Sequence, residues 1–400
     1  MKYQKTMLKN LSYRSTAIAS YVGYITQAIV NNFSPLLFLT FSEHYGIPTA
    51  KITLLITVNF TIQLLIDWFS PYLVTLLGCR VSVVLAHFSA ALGMVGLAAF
   101  PAILPSPFWG LMLAVFFYAI GGGFIEVLVS PIIEACPFER KAAAMSLLHS
   151  FYCWGQLLVI LVSTLFFGIF GIDNWKILSC IWALIPFCNA FLFLCVPLYT
   201  APEGEKTASR MQLFKQPFFR LLLLIMFCAG AAELSMSQWA SSFAEAGLQV
   251  SKAVGDLTGP CCFALLMGIA RLLYAKIDGK VSLYIYMLGS SILCVFSYLL
   301  AALTALPALS LIGCALCGFS VGILWPGALS IAARQFPQGG TALFSTMALS
   351  GDLGCTIGPT MVGLISAAAG DQLSVGLLCA LLFPLLLTII FLLSRRLRHA

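Results

Sequence analysis

The chain has 400 residues, 61% hydrophobic and only 9% charged, with a formal net charge of +7 at pH 7. A soluble domain carries roughly 25% charged residues, so this composition excludes a soluble enzyme or binding module and leaves a multi-span membrane protein. The basic residues are scattered among polar breaks and form no single surface, which argues against a nucleic-acid partner.

Taken in chain order, apolar runs between polar punctuation predict spans at about 15–40, 52–77, 81–100, 108–134, 142–169, 174–198, 217–244, 253–276, 280–302, 306–333, 341–368 and 373–394. A spanning helix needs about 20 mostly apolar residues, so twelve spans leave only short loops. The basic amino end leads into a long first span without the short apolar core of a cleavable leader, and the first helix is expected to stay in place. With both termini cytoplasmic, Lys2, Lys5, Lys9, Arg14, Arg80, Arg140, Lys141, Lys206, Arg210, Lys215, Arg220, Arg271, Lys276, Lys280, Arg334, Arg395, Arg396 and Arg398 fall on the inner side. Only Lys51, Lys176 and Lys252 fall outside. Such a positive-inside bias would be scrambled by one missed span. A multi-pass protein of the plasma (inner) membrane is expected.

The longest polar break, Tyr199 to Gln216, falls mid-chain. It predicts an N-terminal six-helix bundle at 1–198, a cytoplasmic linker at 199–216 and a C-terminal six-helix bundle at 217–400. A shift of 199 residues sets Ser146 opposite Ser345, Gly155 opposite Gly354 and Glu126 opposite Trp325. Parallel repeats of this kind place a substrate site between the halves near the midplane. The fold class expected is all-α, two pseudo-symmetric six-helix bundles, in a monomer.

Ionisable groups at bilayer depth are costly and mark functional sites by default. Three apolar runs carry one well inside: Glu126, Glu233 and Asp352. Glu126 follows three glycines and precedes Pro131, whose ring frees a backbone carbonyl. Desolvation favours the protonated carboxyl, so Glu126 reads as a proton-coupling site, or else as a permanently paired acid locking two helices. In the fifth span His149, Tyr152, Cys153 and Gln156 share one face; His149 suits a proton relay or a structural hydrogen bond. In the seventh, Glu233 lies near Gln238 and Trp239, a carboxylate, an amide and an indole that suit a sugar or an organic cation. In the eleventh, Asp352 lines up with Ser345 and Thr356 and either meets substrate or caps a break in its helix. Trp325, before Pro326, stands mid-span and is expected to line a cavity. Gln27, Asn31, Asn32, Asn59 and Gln63 are amides at depth that need partners; they line the cavity or bond one another. His87 reads as structural.

Fourteen cysteines sit mostly singly in apolar runs and read as packing residues. Cys314 and Cys317 have CxxC spacing but no second pair, whereas zinc needs four convergent ligands; no metal and no cofactor is expected. No phosphate-binding Gly-rich loop ending in Gly-Lys-Ser/Thr is present, so uphill transport would draw on an ion gradient. No nucleophile, base and orienting acid share a recognisable spacing, and an enzyme is not expected.

Two six-helix halves, a mid-chain linker and the turn Gly78-Cys79-Arg80 between the second and third spans resemble the major facilitator superfamily over the whole chain. Thr75 stands where that family's loop carries an aspartate, with Asp67 two turns earlier, and the second copy near Arg271, Lys276, Asp278, Gly279 and Lys280 is equally degenerate. Gly121-Gly-Gly-Phe-Ile-Glu126 to Pro131, Leu147-Leu-His149 to Gly155, and Ala232-Glu233 with Gln238-Trp239 are similar to the fucose permease-like sugar:proton symporters. That resemblance implies a proton role for Glu126. The first-helix acid of that group is replaced by Asn31 and Asn32.

These readings converge on an alternating-access carrier that moves a small polar solute, a monosaccharide by preference, together with a proton. Its partners are the solute, protons and the lipid bilayer. Two alternatives stay open: a proton-coupled efflux antiporter for hydrophobic or cationic drugs, and a non-transporting sensor on a transporter fold.

Overall fold

The structure is a computed structural model that describes residues 12–139, 141–198, 210–277, 281–304, 306–336 and 338–394. Lys2, Lys5, Lys9, Arg140, Lys206, Asp278, Gly279, Lys280, Arg395, Arg396 and Arg398, and most of the 199–216 linker, lie outside the described residues.

Among the described residues every regular element is helical. In chain order the spans are α1 (Tyr13–Asn32), α2 (Thr49–Leu77), α3 (Cys79–Ile103), α4 (Pro107–Ala135), α5 (Lys141–Phe170) and α6 (Trp175–Cys195). They continue as α7 (Pro217–Ser237), α8 (Cys262–Ile277), α9 (Leu283–Leu303), α10 (Pro307–Val321, resumed at Leu324–Gln335), α11 (Gly340–Ala368) and α12 (Leu373–Ala380, resumed at Leu382–Leu393). Among the described residues eleven helices are long and apolar enough to cross a membrane. The twelfth span is α1, whose 20 residues include Gln27, Asn31 and Asn32 and so are less apolar. Proline opens α4, α7 and α10, where a missing N–H costs nothing because the first turn's donors have no intrahelical partner.

Proline also accounts for interruptions, because its ring crowds the carbonyl four residues back and offers no donor. α1 gives way to a 3-10 turn, Ser34–Leu37, and a short helix, Phe38–Tyr45, with Pro35 set against the Asn31 carbonyl. α10 breaks at Gly322 and Ile323, with Pro326 set against the Gly322 carbonyl. α7 stops at Ser237 and is followed by a π-helical turn, Phe243–Gly247; α8 is preceded by Lys252–Asp256 and a second π-helical turn, Leu257–Cys261, containing Pro260. α11 runs unbroken through Asp352 and Pro359, so Asp352 caps no break.

The chain divides into two compact units: one gathers the described residues within Met1–Leu37 and Thr61–Gly204, the other those within Phe38–Phe60 and Glu205–Ala400. α2 thus gives its residues up to Phe60 to the second unit and the remainder to the first.

In the first unit α3 lies along α4 and α6, and α1 along α4 and α5. Buried polar keys join these helices. His87 on α3 places Nδ1 2.7 Å from its own-helix Val83 carbonyl and Nε2 2.9 Å from Asn189 Nδ2 on α6, while Asn189 also donates to the Ala19 carbonyl on α1 at 3.0 Å. A histidine protonated on Nδ1 alone satisfies this set. Gly78 adopts a φ of 83°, which favours glycine, and turns the chain so that Arg80 Nη1 donates to the Phe193 and Leu194 carbonyls at 2.7 and 3.0 Å. A cation there meets the negative end of α6.

In the second unit α7 lies along α11, and α10 along α8 and α9. Small residues let backbones approach where lipid gives no hydrophobic drive for helix pairing. A Cβ on Gly354 would lie 2.0 Å from the Phe227 carbonyl oxygen, and one on Gly230 would lie 2.3 Å from that of Gly351. Ser350 donates to the Leu223 carbonyl across the same seam at 2.8 Å, and Tyr298 on α9 donates to the Ala232 carbonyl on α7 at 2.6 Å.

Gly354→Ala is therefore expected to destabilise the purified protein by about 1–3 kcal/mol, the usual cost of overpacking. Gly289→Ala, on a helix face with nothing within 4 Å of the new Cβ, is expected to leave stability unchanged or raise it. Thermal unfolding of the two variants in detergent checks the contrast; equal melting temperatures would contradict the seam.

Candidate functional site

Glu126 is positioned by the glycines before it. A Cβ on Gly121 would lie 2.6 Å from the Ala86 carbonyl of α3, one on Gly122 would lie 2.9 Å from Gln27 Oε1 of α1, and one on Gly123 would lie 2.9 Å from Ile66 Cβ of α2. Three successive glycines thus face three helices. α4 can approach all of them only while those positions lack side chains, and Glu126 follows within a turn.

Around the carboxylate lies a chain of amides. Gln27 Nε2 donates to Glu126 Oε2 at 2.7 Å and to Gln63 Oε1 at 2.9 Å. Gln63 Nε2 in turn donates to Asn31 Oδ1 at 2.9 Å. Gln27, Gln63 and Asn31 are 1%, 3% and 6% exposed, whereas Glu126 is half-buried. Amides expected either to line a cavity or to bond one another do the latter here. Asn32 instead donates back to the Ala28 carbonyl of its own helix at 2.9 Å.

One turn along both helices there is a second rung. The Tyr24 and Ser130 hydroxyls are 3.2 Å apart, and the Tyr24 ring centroid is 5.3 Å from that of His149 on α5. The polar face of α5 grades inward: His149 is exposed, Tyr152 half-buried, and Cys153 and Gln156 buried. Tyr24 thus lies beside both Ser130 of α4 and His149 of α5.

The second unit holds the remaining candidates. Glu233 on α7 is half-buried, and its opposing charge is Arg271 on α8. Arg271 Nε donates to the Gly322 carbonyl at 3.1 Å, the same carbonyl that Pro326 displaces from helical bonding. The guanidinium thus meets the break in α10 and also opposes the charge of Glu233 through space. Trp325, half-buried, lays its six-membered ring over Gly351, where a Cβ would lie 2.3 Å from it; the neighbouring Asp352 is 8% exposed. Gln238 is buried at the end of α7. Trp239 is also buried; its indole N–H donates to the Pro359 carbonyl at 2.9 Å, and its ring packs beside Phe38. Asn59 is buried as well.

Sequence reasoning missed Arg271 as an intramembrane partner, because its place near the end of an apolar run made it look like a loop charge. It also missed a cluster beyond α7. Lys252 Nζ is 3.3 Å from Asp256 Oδ2 and 3.6 Å from Glu245 Oε2, and the Ser241 hydroxyl donates to Asp256 Oδ1. The signal available was the i, i+4 spacing of Lys252 and Asp256. Among the described residues no group of three or more His, Cys, Asp or Glu could hold a metal ion.

A multi-span helical protein with an amide-bound acid in one unit and an acid opposite an arginine in the other has the features of a membrane carrier. The family model of the Major Facilitator Superfamily matches residues 17–359, and the chain belongs to that superfamily. No curated protein sequence matches it. Among solved structures it is similar to a bacterial homologue of the human lysosomal transporter Spinster, at 14% identity over 96% of this chain and 97% of that one, with a TM-score of 0.74. It is also similar to the E. coli fucose:proton symporter, at 16% identity over 95% and 98% with a TM-score of 0.62. A nucleoside transporter aligns at 11% identity over 95% and 98% with a TM-score of 0.75. At these identities the likeness is one of fold.

Glu245 lies outside the spans. Burial pushes its carboxyl above the ordinary value of 4.5, Lys252 pulls it down, and Asp256 and Glu43 push it up. A raised folded-state pKa means that ionisation opposes folding, so this stabilising contribution is full below the unfolded pKa and is lost as pH rises through the folded one. Glu245→Gln is therefore expected to raise the melting temperature at neutral pH by on the order of 1–2 °C. The difference should vanish in acid, and a gain that persists there would contradict the assignment.

Proposed function

We propose that this carrier moves a small polar solute, a monosaccharide by preference, in symport with a proton bound at Glu126. The observation that carries the reading is the 2.7 Å bond from Gln27 to Glu126 at the end of a buried amide chain. An amide that donates to a carboxylate carries no charge of its own, and amides suit hydroxylated solutes because they donate and accept. The fold likeness to a fucose:proton symporter supports the same reading. Asn31, Asn32, Asn59, Gln63, Tyr152, Gln156, Glu233, Gln238, Trp239, Trp325 and Asp352 are the proposed solute-facing set, with His149 as a proton relay. We place the protein in the plasma membrane as a monomer, both termini cytoplasmic.

A second reading is favoured by Arg271 opposite Glu233: a guanidinium and a carboxylate together suit a solute that carries both charges, such as an amino acid or short peptide.

Proteoliposomes loaded with a pH-sensitive dye decide between them. Under the first reading at least one monosaccharide acidifies the lumen on addition, and Glu126→Gln loses at least about tenfold (about 1.4 kcal/mol) in uphill accumulation driven by a proton gradient while keeping downhill exchange. Uphill accumulation unchanged in Glu126→Gln would end the coupling assignment. Acidification by dipeptides or amino acids but by no sugar would select the second reading.

A further inference from the structure

We propose that Gln27 and Gln63 form a reversible hydrogen-bond chain that reports the protonation state of Glu126 to Asn31, beside the break in α1. The inference rests on Glu126 being the proton site.

An ionised carboxylate only accepts, so it requires Gln27 to present its N–H₂ end. That choice fixes the rest. Gln27 Nε2 faces Gln63 Oε1, which leaves Gln63 Nε2 for Asn31, and Asn31 turns its carbonyl oxygen to Gln63. No member can flip alone without setting two acceptors or two donors face to face. The chain therefore has two consistent polarities.

Gln27 shows what the other polarity would use. Its Oε1 is buried without a hydrogen-bond partner among the described residues, on a side chain only 1% exposed, against Gly122. A half-turn exchanges the two ends of the amide, so either polarity sets one end of Gln27 against Gly122, and the charge on Glu126 selects the polarity in which N–H₂ faces it. A proton arriving on Glu126 forms one O–H bond at Oε2 and neutralises the carboxylate. Facing Gln27 N–H₂, the new O–H would set donor against donor. A half-turn of the Gln27 amide lets Oε1 accept from Glu126. Gln63 then turns to donate to Gln27, and Asn31 turns to donate Nδ2 to Gln63. Three hydrogen bonds exist before and after, and no amide gains or loses a proton.

The readout lies at Asn31. With Glu126 ionised, Asn31 gives its oxygen to Gln63; with Glu126 protonated, it gives its N–H₂ instead, and the opposite end of the amide is turned away from the chain. Asn31 is the last residue but one of α1, and its backbone carbonyl is the one Pro35 crowds. The polarity change thus ends at the interruption of α1. Gln27 and Gln63 are positioning residues in this scheme.

Other titratable groups on the helices around Glu126 include Tyr13, Arg14, Tyr21 and Tyr24 on α1, Asp67 and Tyr72 on α2, Cys79, Arg80 and His87 on α3, and His149, Tyr152 and Cys153 on α5, with Tyr118 and Glu134 on α4 itself. His87 is held at both ring nitrogens. The test must therefore separate Glu126 from the rest.

The proton itself serves as probe. Infrared difference spectra of the purified protein between acidic and alkaline buffer are recorded with ¹³C placed in the side-chain carbonyls of glutamine, and separately of asparagine. The expected result is a protonated-carboxyl band that Glu126→Gln removes, accompanied by shifts of labelled glutamine and asparagine carbonyls that the same substitution abolishes. In Gln27→Met, of similar length, the carboxyl band remains while the asparagine shift is lost. A carboxyl band assigned to Glu126 with silent amide carbonyls in the wild type overturns the chain alone, and that result needs no variant of Gln27 to fold. Absence of any carboxyl band sensitive to Glu126→Gln overturns the proton site and the chain together.

Discussion

The structure depends on one constraint: a polar group at bilayer depth has no water to turn to, so the protein itself must meet it. The solutions are specific. Pro326 displaces the Gly322 carbonyl from its helix, and Arg271 supplies the missing donor. Helix α6 ends in carbonyls that Arg80 covers. Trp239 gives its N–H to Pro359, which ties the turn after α7 to α11. Glu126 is met by Gln27 in the same manner. A carboxylate at depth and a helix end thus obey one rule and differ in whether the acceptor can change its charge.

Meeting polar groups internally requires helices close enough for short side chains to reach across. That closeness is set by glycine. Along α4 three consecutive glycines bring α1, α2 and α3 within reach of one another, and the amide chain spans the gap so created. Along the α7 to α11 seam Gly230, Gly351 and Gly354 do the same, and Trp325 uses the space above Gly351. The residues that make the packing tight are therefore the ones that place the polar groups, and a substitution that loosens either seam disturbs both.

Much of this was legible in the sequence. Twelve apolar runs, the superfamily resemblance and the depth of Glu126, Glu233 and Asp352 follow from hydropathy and spacing, which depend on local composition. Partnerships do not. That Gln27 bonds both Glu126 and Gln63, while the adjacent Asn32 bonds only its own helix, depends on helix rotations that no single-chain periodicity reports. Arg271 was hidden for a related reason, since a charge near the end of an apolar run reads as a loop residue until a neighbouring helix is seen to break beside it. The unbroken course of α11 shows the converse: Gly351, Gly354, Gly358 and Pro359 near Asp352 suggest a break, yet those glycines are consumed by backbone contacts with α7 and by Trp325.

The two units set their acids in unlike surroundings, and this bears on which can carry a proton through a cycle. Glu233 faces Arg271, whose charge stays in place whether or not Glu233 is ionised and which the Gly322 carbonyl also engages. Neutralising Glu233 would remove a charge that the Arg271 guanidinium opposes. Glu126 accepts from an amide, Gln27, and an amide carries no charge of its own. The chemistry of the neighbours, more than the depth of the acid, therefore separates the two acids.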